Sequence, residues 1–478
     1  MPFTSDTYRG RGGFAPRRGR GGWSQPFAKR QDPKPDLQKH PLGDLILALQ
    51  RSDLKPLQAH QVSPLQIQSC KYVTSYNWLA NEISTVTVPG QPPQWTPLKV
   101  SRRLKEDSGI YYRDPNAARS PEYPMAPAVQ ATLDAMEDKS IDFDLFACGS
   151  TLGSLLRFTR GIDKAFRFHV QVVGGTVFLI RQGNDPKELI EGVRGFGHSF
   201  PEAYTTWPKE VKGSETHQRI VQYKLGDLQC LLRFECDGFF DDLSEANNLR
   251  RSVVKETYVQ QSEDALVQAF SGTAVSNPHT NNTGAFSVVK AGKPVPQASI
   301  FDLKTRSGRH KKDINMDDIT PLLWLKQVPN FIVAYHDGAG LFPDQDIHIK
   351  DVQSLTATFE KDNAEAIHSL VSLLQKIIDL TKEDDRGLLE VYCSGNGVLE
   401  IRKQFGQGVQ ALPVDLHGRW VAKCDSGGMP LCDEDTDYGS YPDDSTSSLS
   451  GLSGDSDQED DFTACSEEVC GYCGRCTY

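Results

Sequence analysis

The sequence predicts a mixed α/β fold with a central twisted mixed β-sheet and flanking helices. Polar and apolar residues alternate on both sides of Gly174 and Gly175, and the same pattern surrounds Gly226 and Asp227, so two β-hairpins are expected. Further along, an amphipathic helical pattern over 317–327 precedes an apolar strand over 331–335. Helices that alternate with strands typically pack against the faces of a sheet.

Each element is predicted from its hydrophobic period. A helix over 41–49 follows from the helical spacing of Leu42, Leu45, Ile46 and Leu49. The proline-rich segment 84–97 is expected to be extended. The other predicted helices lie at 126–137, 151–158, 245–268, 317–327 and 364–380. The predicted strands lie at 166–172, 177–181, 220–225, 228–237, 298–305, 331–335, 389–393 and 398–402.

Composition divides the chain into one folded domain between two tails. A single α/β domain is predicted over 37–423, with a mobile polar insertion at about 269–297. The Arg/Gly-rich segment 1–36 and the acidic, Ser-rich segment 424–463 cannot bury a core, so both are expected to be disordered. A Cys-rich motif over 464–478 ends the chain.

The net charge of −11 conceals two tails of opposite sign. Residues 1–30 hold seven Lys and Arg against one acid, whereas residues 424–478 hold fourteen acids against one Arg. This asymmetry favours two interaction tails, the acidic one for another protein, over a uniformly acidic enzyme. No apolar run is long enough to span a membrane and the start lacks an apolar signal region, so membrane partners are not expected. The scattered cysteines favour a nuclear or cytoplasmic protein.

The basic tail has the composition of an RNA-binding segment. Its arginines can neutralise phosphates and its aromatic rings can stack on bases. The predicted RNA-binding residues there are Arg9, Arg11, Phe14, Arg17, Arg18, Arg20 and Trp23. A solubilising tail, or one that binds a protein, is the alternative.

The strongest chemical pattern lies on two predicted strands. Residues i and i+2 of a strand share a face, so Glu235 and Asp237 point the same way, as do Asp302 and Lys304. Three carboxylates that converge at a sheet edge make an oxygen-rich site for Mg²⁺ or Mn²⁺, with the lysine near a bound water. The alternative is two strands that end in solvated charges.

These segments resemble a nuclease family. Residues 301–305 read Phe-Asp-Leu-Lys-Thr, similar to a Glu-φ-Lys-Thr segment, and the helix, turn and strand over 323–340 are similar to the elements that follow it. The order resembles the PD-(D/E)XK nuclease-like core, and more narrowly the DXO-like decapping exonucleases and RNA 5′-end pyrophosphohydrolases, in a divergent fungal form with an Arg-Gly-rich start.

The resemblance implies a metal-dependent hydrolase of the decapping, pyrophosphohydrolase or 5′–3′ exonuclease type. Glu235, Asp237, Asp302 and Glu202 would hold Mg²⁺ or Mn²⁺, and Lys304 would assist the attacking water. The predicted catalytic set is Glu235, Asp237, Asp302 and Lys304.

Three departures from the family pattern keep a non-catalytic interpretation open. Gly149 stands where the family has an Arg, and Leu322 where it has a Gln. Pro201 replaces a Glu, so that Glu202 arrives one residue late. The alternative function is therefore an RNA- or protein-binding factor on the same scaffold.

Two further groups are candidate binding residues. The basic residues after the lysine strand, Arg306, Arg309, Lys311 and Lys312, are predicted to contact the RNA backbone, although basic loops are usually just solvated. At the C-terminus, four cysteines could supply thiolates to one Zn²⁺, although the spacing is unusually compact. They are Cys465, Cys470, Cys473 and Cys476. A free thiol cluster or a partner motif is the alternative.

Overall fold

The computed structural model describes most of the predicted domain. It covers residues 34–54, 65–190, 193–242, 281–282, 286–308 and 314–425. Within these residues the chain forms a twelve-stranded sheet, a six-stranded sheet and a two-stranded ribbon, with helices between and outside the two larger sheets. The predicted mixed α/β class is confirmed.

The strands are short except for two long antiparallel partners, β2 and β11. In chain order they are β1 Leu45–Gln50, β2 Ile67–Leu79, β3 Thr85–Pro89, β4 Gln94–Trp95, β5 Tyr111–Tyr112, β6 Leu145–Cys148, β7 Phe166–Val173, β8 Thr176–Arg181, β9 Leu189–Ile190, β10 Thr205–Thr206, β11 Ser214–Leu225, β12 Leu228–Glu235, β13 Gly238–Phe239, β14 Asn281–Asn282, β15 Ser287–Ala291, β16 Ile300–Ser307, β17 Asn330–His336, β18 Ile347–Asp351, β19 Leu388–Cys393 and β20 Val398–Lys403.

The α-helices of the described residues pack against the two larger sheets. They are α1 Pro115–Arg119, α2 Ala126–Ala135, α3 Gly149–Thr159, α4 Ser199–Tyr204, α5 Met316–Lys326, α6 Gln353–Asp362, α7 Ala364–Glu383 and α8 Val414–Asp425. None of them is long and apolar enough to cross a membrane.

The large sheet is mixed. Its order is β1-β20-β19-β7-β8-β6-β12-β11-β2-β3-β15-β14, and β6 runs parallel to both of its neighbours, β8 and β12. The small sheet has the order β10-β4-β13-β16-β17-β18, with β16 and β17 parallel. The chain passes directly from the large sheet to the small one between β12 and β13.

One apolar core joins the two sheets. Residues from β6, β7 and β12 pack with α3, α5 and α7, and with Ile300, Phe331 and Val333 of the small sheet. The sequence of α7 explains its place in this core. Its apolar residues, among them Ile367, Leu370 and Leu374, recur at helical spacing and form one buried face. A second core on the far face holds α2 and α8, and a third lies under the small sheet with α4.

Most predicted elements are confirmed. The two hairpins are β7–β8 and β11–β12, the strand over 298–305 is β16, and the late strands are β19 and β20. The predicted helices that begin at 126, 151, 317 and 364 are α2, α3, α5 and α7. The predicted helix over 245–268 lies outside the described residues, as do 1–33 and 426–478.

The helix predicted over 41–49 is wrong. Residues Leu45–Gln50 form the strand β1, which pairs antiparallel with β20 at the edge of the large sheet. Leu45 and Ile46 are 51% and 38% exposed, whereas Leu49 is buried, so the apolar residues do not make one buried helical face. Backbone pairing with an open sheet edge outweighs the local periodicity.

The predicted mobile insertion, 269–297, is corrected at its C-terminal end. Ser287–Ala291 forms β15, which runs parallel to β3 in the large sheet, and Phe286 and Val288 are buried. The polar composition of the preceding residues obscured this short strand. The described part of the insertion therefore belongs to the folded domain.

The strand β7 carries a buried polar network. Its polar residues are buried rather than solvated: Arg167 donates to the carboxylate of Glu390 on β19, at 3.0 Å from Nε, and Gln171 donates to Gln410 and accepts from the Ala411 backbone. His169 lies beside this ion pair with its side chain 8% exposed. Burial, and next the charge of Arg167, lower the pKa of His169 to about 4, since the Glu390 charge is already taken up by Arg167.

We expect His169 to destabilise the protein in mild acid. The unfolded ring takes up a proton near pH 6.5 and the folded ring only near pH 4, so this contribution to stability is complete above pH 6.5 and falls between those values. By pH 4.5 the loss is roughly 2.5 kcal/mol. Urea unfolding of the wild type and of His169→Gln at pH 7.5 and 4.5 measures it. Between pH 7.5 and 4.5 the free energy of unfolding of His169→Gln should fall by about 2.5 kcal/mol less than that of the wild type. Equal losses in the two proteins would contradict the assignment.

Candidate active site between the two sheets

The chain crossover between the sheets brings the four predicted catalytic residues into one region. Glu235 is the last residue of β12 in the large sheet, and Asp237 precedes β13 in the small sheet. Because β13 pairs with the start of β16, the crossover lies beside Asp302 and Lys304. The sequence predicted one sheet edge, but the residues come from two sheets that meet here.

Asp237 is fixed by a backbone contact. Its Oδ2 accepts the N–H of Leu303 at 2.6 Å. The strand β13 is only two residues long and pairs with Ile300 and Phe301, so it ends before it can pair with Leu303. The Asp237 carboxylate therefore takes the place of the missing strand partner, as buried N–H groups require an acceptor.

Asp302 is a buried carboxylate with one paired and one unpaired oxygen. It is 5% exposed, and its Oδ2 accepts from Lys326 Nζ at 2.9 Å. Its Oδ1 is buried without a hydrogen-bond partner. A buried carboxylate oxygen without a partner is costly, so this atom points to a group that completes the site.

The pKa values show that negative charge accumulates here. Burial, and next the charge of Asp237, raise the pKa of Glu235 to about 7, although solvent reaches this residue. Burial, and next the charge of Asp302, raise the pKa of Asp237 to about 6. Lys304 and Lys326 lower both pKa values without cancelling the rise. Glu235 therefore lies exposed at the end of β12, next to a like charge on Asp237.

The donor chemistry of this cluster suits a divalent cation. Carboxylate oxygens are the ligands that Mg²⁺ and Mn²⁺ prefer, and the unpaired Oδ1 of Asp302 lies among them. As the side chains stand, however, no three His, Cys, Asp or Glu side chains of the described residues are grouped closely enough to hold a metal ion. The carboxylates that could act as metal ligands are present in this region but are not gathered around one point. Lys326 donates to one oxygen of Asp302.

Lys326 is a site residue that the sequence analysis missed. It lies in the last turn of α5, and its side chain passes the first residue of α3: a Cβ placed on Gly149 would lie 3.8 Å from Lys326 Cε. The start of α3 therefore lies within van der Waals contact of the side chain by which Lys326 reaches Asp302.

Arg233 is the second missed residue. It shares a strand face with Glu235, is 7% exposed, and has no hydrogen-bond partner for Nε or Nη1. Its charge acts on Cys148 at the start of α3, where burial raises the thiol pKa but Arg233 lowers it to below its ordinary value. The alternation of β12 was the signal that could have found Arg233, two residues before Glu235.

Together, Arg233 and the start of α3 are suited to an anion. The first N–H groups of a helix have no partner within the helix and carry partial positive charge. A buried guanidinium with two unpaired donors adds directional hydrogen bonds for phosphate oxygens. Next to them, a cavity of about 590 Å³ is lined by Ser150 and Thr151 of α3 and by Arg181, Phe166 and Phe405.

The other predicted site residues have different positions. Glu202 is exposed on α4, where partial burial and Asp107 raise its pKa, and its described contacts do not bring it to the carboxylate cluster. Arg306 is half-buried near the end of β16. The remaining predicted RNA-binding and zinc-binding residues lie outside the described part of the chain. They are Arg9, Arg11, Phe14, Arg17, Arg18, Arg20, Trp23, Arg309, Lys311, Lys312, Cys465, Cys470, Cys473 and Cys476.

Comparison with protein families gives a clear membership. The model of a domain of unknown function, DUF8563, matches residues 46–402, which is most of the chain. The protein therefore belongs to this family. Comparison with curated protein sequences finds no match.

Solved structures with a similar arrangement are yeast Rai1 and Dxo1 proteins. Candida albicans Rai1 in complex with pU5 and Mn²⁺ has a TM-score of 0.49 at 9% identity, over 79% of this chain and 100% of that one. S. pombe Rai1 in complex with 3′-FADP, in a mutant form, has a TM-score of 0.46 at 11% identity, over 74% and 98%. K. lactis Dxo1 with manganese has a TM-score of 0.42 at 11% identity, over 76% and 99%.

We expect Asp237→Asn to stabilise the protein. At pH 7.5 the substitution removes one of the mutually repelling charges, and the amide oxygen still accepts the Leu303 N–H. The free energy of unfolding in urea should rise by about 1 kcal/mol. The exposed Asp241→Asn is the matched control and should stay within about 0.5 kcal/mol of the wild type. A clear loss of stability in Asp237→Asn would show that the charge is favourable as it stands.

Proposed function

We propose that this protein is a metal-dependent hydrolase that cleaves phosphate linkages at the 5′ ends of RNA. The observation that carries the proposal is the convergence of Glu235, Asp237, Asp302 and Lys304 at the crossover between the sheets, with an unpaired buried oxygen on Asp302. Buried like charges cost stability, and proteins keep such arrangements mainly at functional sites.

The chain's own residues divide into two roles. Arg233 and the start of α3 would bind the phosphate group, since both present unpaired N–H donors. Lys304, which is 9% exposed beside the carboxylates, would orient the attacking water and offset charge on the phosphate. Arg233 thereby supplies the phosphate-binding cation that the sequence lacks at Gly149.

The carboxylates would hold the metal ion. Asp237 and Asp302 are the proposed ligands, and Glu235 lies beside them at the end of β12. A bound Mg²⁺ or Mn²⁺ would lower the pKa of a water ligand and stabilise charge on a phosphoryl oxygen.

RNA is the proposed substrate for three reasons. The Arg-Gly-rich tail carries phosphate-binding and base-stacking residues, and basic residues follow the lysine strand. The cavity beside α3 is large enough for a nucleotide, and its lining offers arginine and phenylalanine side chains beside the four acids Asp114, Glu122, Asp185 and Glu188. The sequence segments around Asp302 and Lys304 resemble those of the RNA 5′-end hydrolases.

A non-catalytic RNA-binding factor is the second candidate. It is favoured by the finding that no three potential ligands of the described residues are close enough to hold an ion, and by Leu322 on α5 in place of a polar residue. The phosphate-binding residues would serve that function equally well, so hydrolysis has to be measured directly.

Three further expectations from the sequence remain proposals. The C-terminal cysteines would bind Zn²⁺, the acidic tail would bind another protein, and the protein would act in the nucleus, the cytoplasm or both. Zinc analysis of the purified chain before and after removal of residues 464–478 tests the first of these.

We expect hydrolysis of 5′-modified RNA that depends on the carboxylate cluster. One RNA is prepared with a 5′ triphosphate, a cap, a 5′ monophosphate or a 5′ hydroxyl and incubated with full-length protein and Mg²⁺ or Mn²⁺. The wild type should act on at least one of the first three, and Asp302→Asn and Lys304→Met should lose about 10²-fold or more in rate. Lys361→Met, an exposed residue of α6, should retain wild-type activity.

The outcomes separate the two candidates. Equal rates in the wild type and in Asp302→Asn would exclude this site as the catalytic centre. No hydrolysis of any of the four RNAs, together with retained RNA binding, would establish the non-catalytic factor instead.

Arg233 should contribute to substrate binding rather than to the chemical step. Arg233→Met removes the buried guanidinium, so the KM for the phosphorylated RNA should rise about tenfold or more. Arg233→Lys, which keeps the charge, should recover part of this loss, and circular dichroism checks that both variants fold. An unchanged KM in Arg233→Met would show that the phosphate lies elsewhere.

A further inference from the structure

A side chain of the protein itself places a positive charge at the carboxylate cluster. Lys326 Nζ lies 2.9 Å from Asp302 Oδ2, and the two side chains are 18% and 7% exposed. Lys326 also acts on the other two carboxylates, because its charge lowers the pKa values of both Glu235 and Asp237. One ammonium group thus serves all three acids.

Lys326 takes up one of the two Asp302 oxygens that a divalent ion could use. An ion shared by Asp237 and Asp302 needs an oxygen from each, and Lys326 engages one of the two Asp302 oxygens. An ammonium and a divalent ion at adjacent positions repel each other strongly in a partly buried site. This explains how a set of carboxylates suited to a metal can fail to form a coordination group in the described residues.

The side chain of Lys326 passes close to Gly149. Lys326 extends from the last turn of α5 past the start of α3, and its Cγ and Cε lie 3.9 and 3.8 Å from the position of a Cβ on Gly149. These are ordinary van der Waals distances, so the start of α3 flanks the lysine that brings one positive charge to Asp302.

We propose that Lys326 is a built-in counter-cation that competes with the divalent ion for Asp302, so that an ion binds tightly only when Lys326 leaves this carboxylate. The proposal rests on the proposed function in so far as both take the carboxylates as the ion site. It adds that the affinity of this site for metal is restrained by the protein's own lysine.

The test is direct binding of Mn²⁺ to full-length protein, measured by the loss of the electron paramagnetic resonance signal of free Mn²⁺. Lys326→Met removes the charge and should gain one Mn²⁺ site that is roughly tenfold or more tighter than in the wild type. Lys326→Arg keeps a positive charge at Asp302 and should stay close to the wild type. Lys361→Met, on the exposed face of α6, controls for the loss of any lysine and should also bind as the wild type does.

A double variant shows where the gained ion binds. Lys326→Met combined with Asp302→Asn should lose the tight site, while ions held elsewhere on the chain, as on the acidic tail, are common to all variants. Binding by Lys326→Met that is no tighter than wild type, or a gained site that persists in the double variant, would overturn the proposal. Because the readout is binding, these results are independent of whether the protein hydrolyses RNA.

Discussion

The structure around the candidate site depends on the balance of charge among three carboxylates and two lysines. Burial raises the pKa values of Glu235 and Asp237, and repulsion from Asp237 and from Asp302, respectively, raises them further. Lys304 and Lys326 offset this repulsion only in part. The hydrogen bonds of the site are also incomplete, because Asp302 Oδ1 is buried without a partner.

The fold sustains this imbalance because the site lies where two sheets share one core. The crossover after β12 is anchored by the Asp237 carboxylate on the Leu303 backbone, and β16 is held on its other side by the parallel strand β17. The helices α3 and α5 approach from the layer between the sheets and bring the start of one helix and Lys326 to the same place. The apolar core around the site thus holds the mutually repelling carboxylates in place.

The sequence alone was sufficient to predict the elements with strong local patterns. The hairpins and α7 follow from periods that the structure confirms, and Asp302 and Lys304 lie two apart on β16 as expected. The strand that was expected to carry both Glu235 and Asp237 ends at Glu235. The strand β1 was misread because its apolar residues fit a helical period while its partner, β20, lies some 350 residues away. Lys326 was missed because its role depends on the distant pairing of α5 with α3, which no local pattern in either helix encodes.

The most direct measurement is a crystal structure of the full chain soaked with Mn²⁺ and a short 5′-phosphorylated RNA, with the anomalous signal of manganese recorded. The account predicts a manganese peak at Asp237 and Asp302, with the Lys326 ammonium displaced from Asp302 and the terminal phosphate held by Arg233 and the first N–H groups of α3. A structure in which manganese and RNA bind away from these residues, with Lys326 still paired to Asp302, would contradict it.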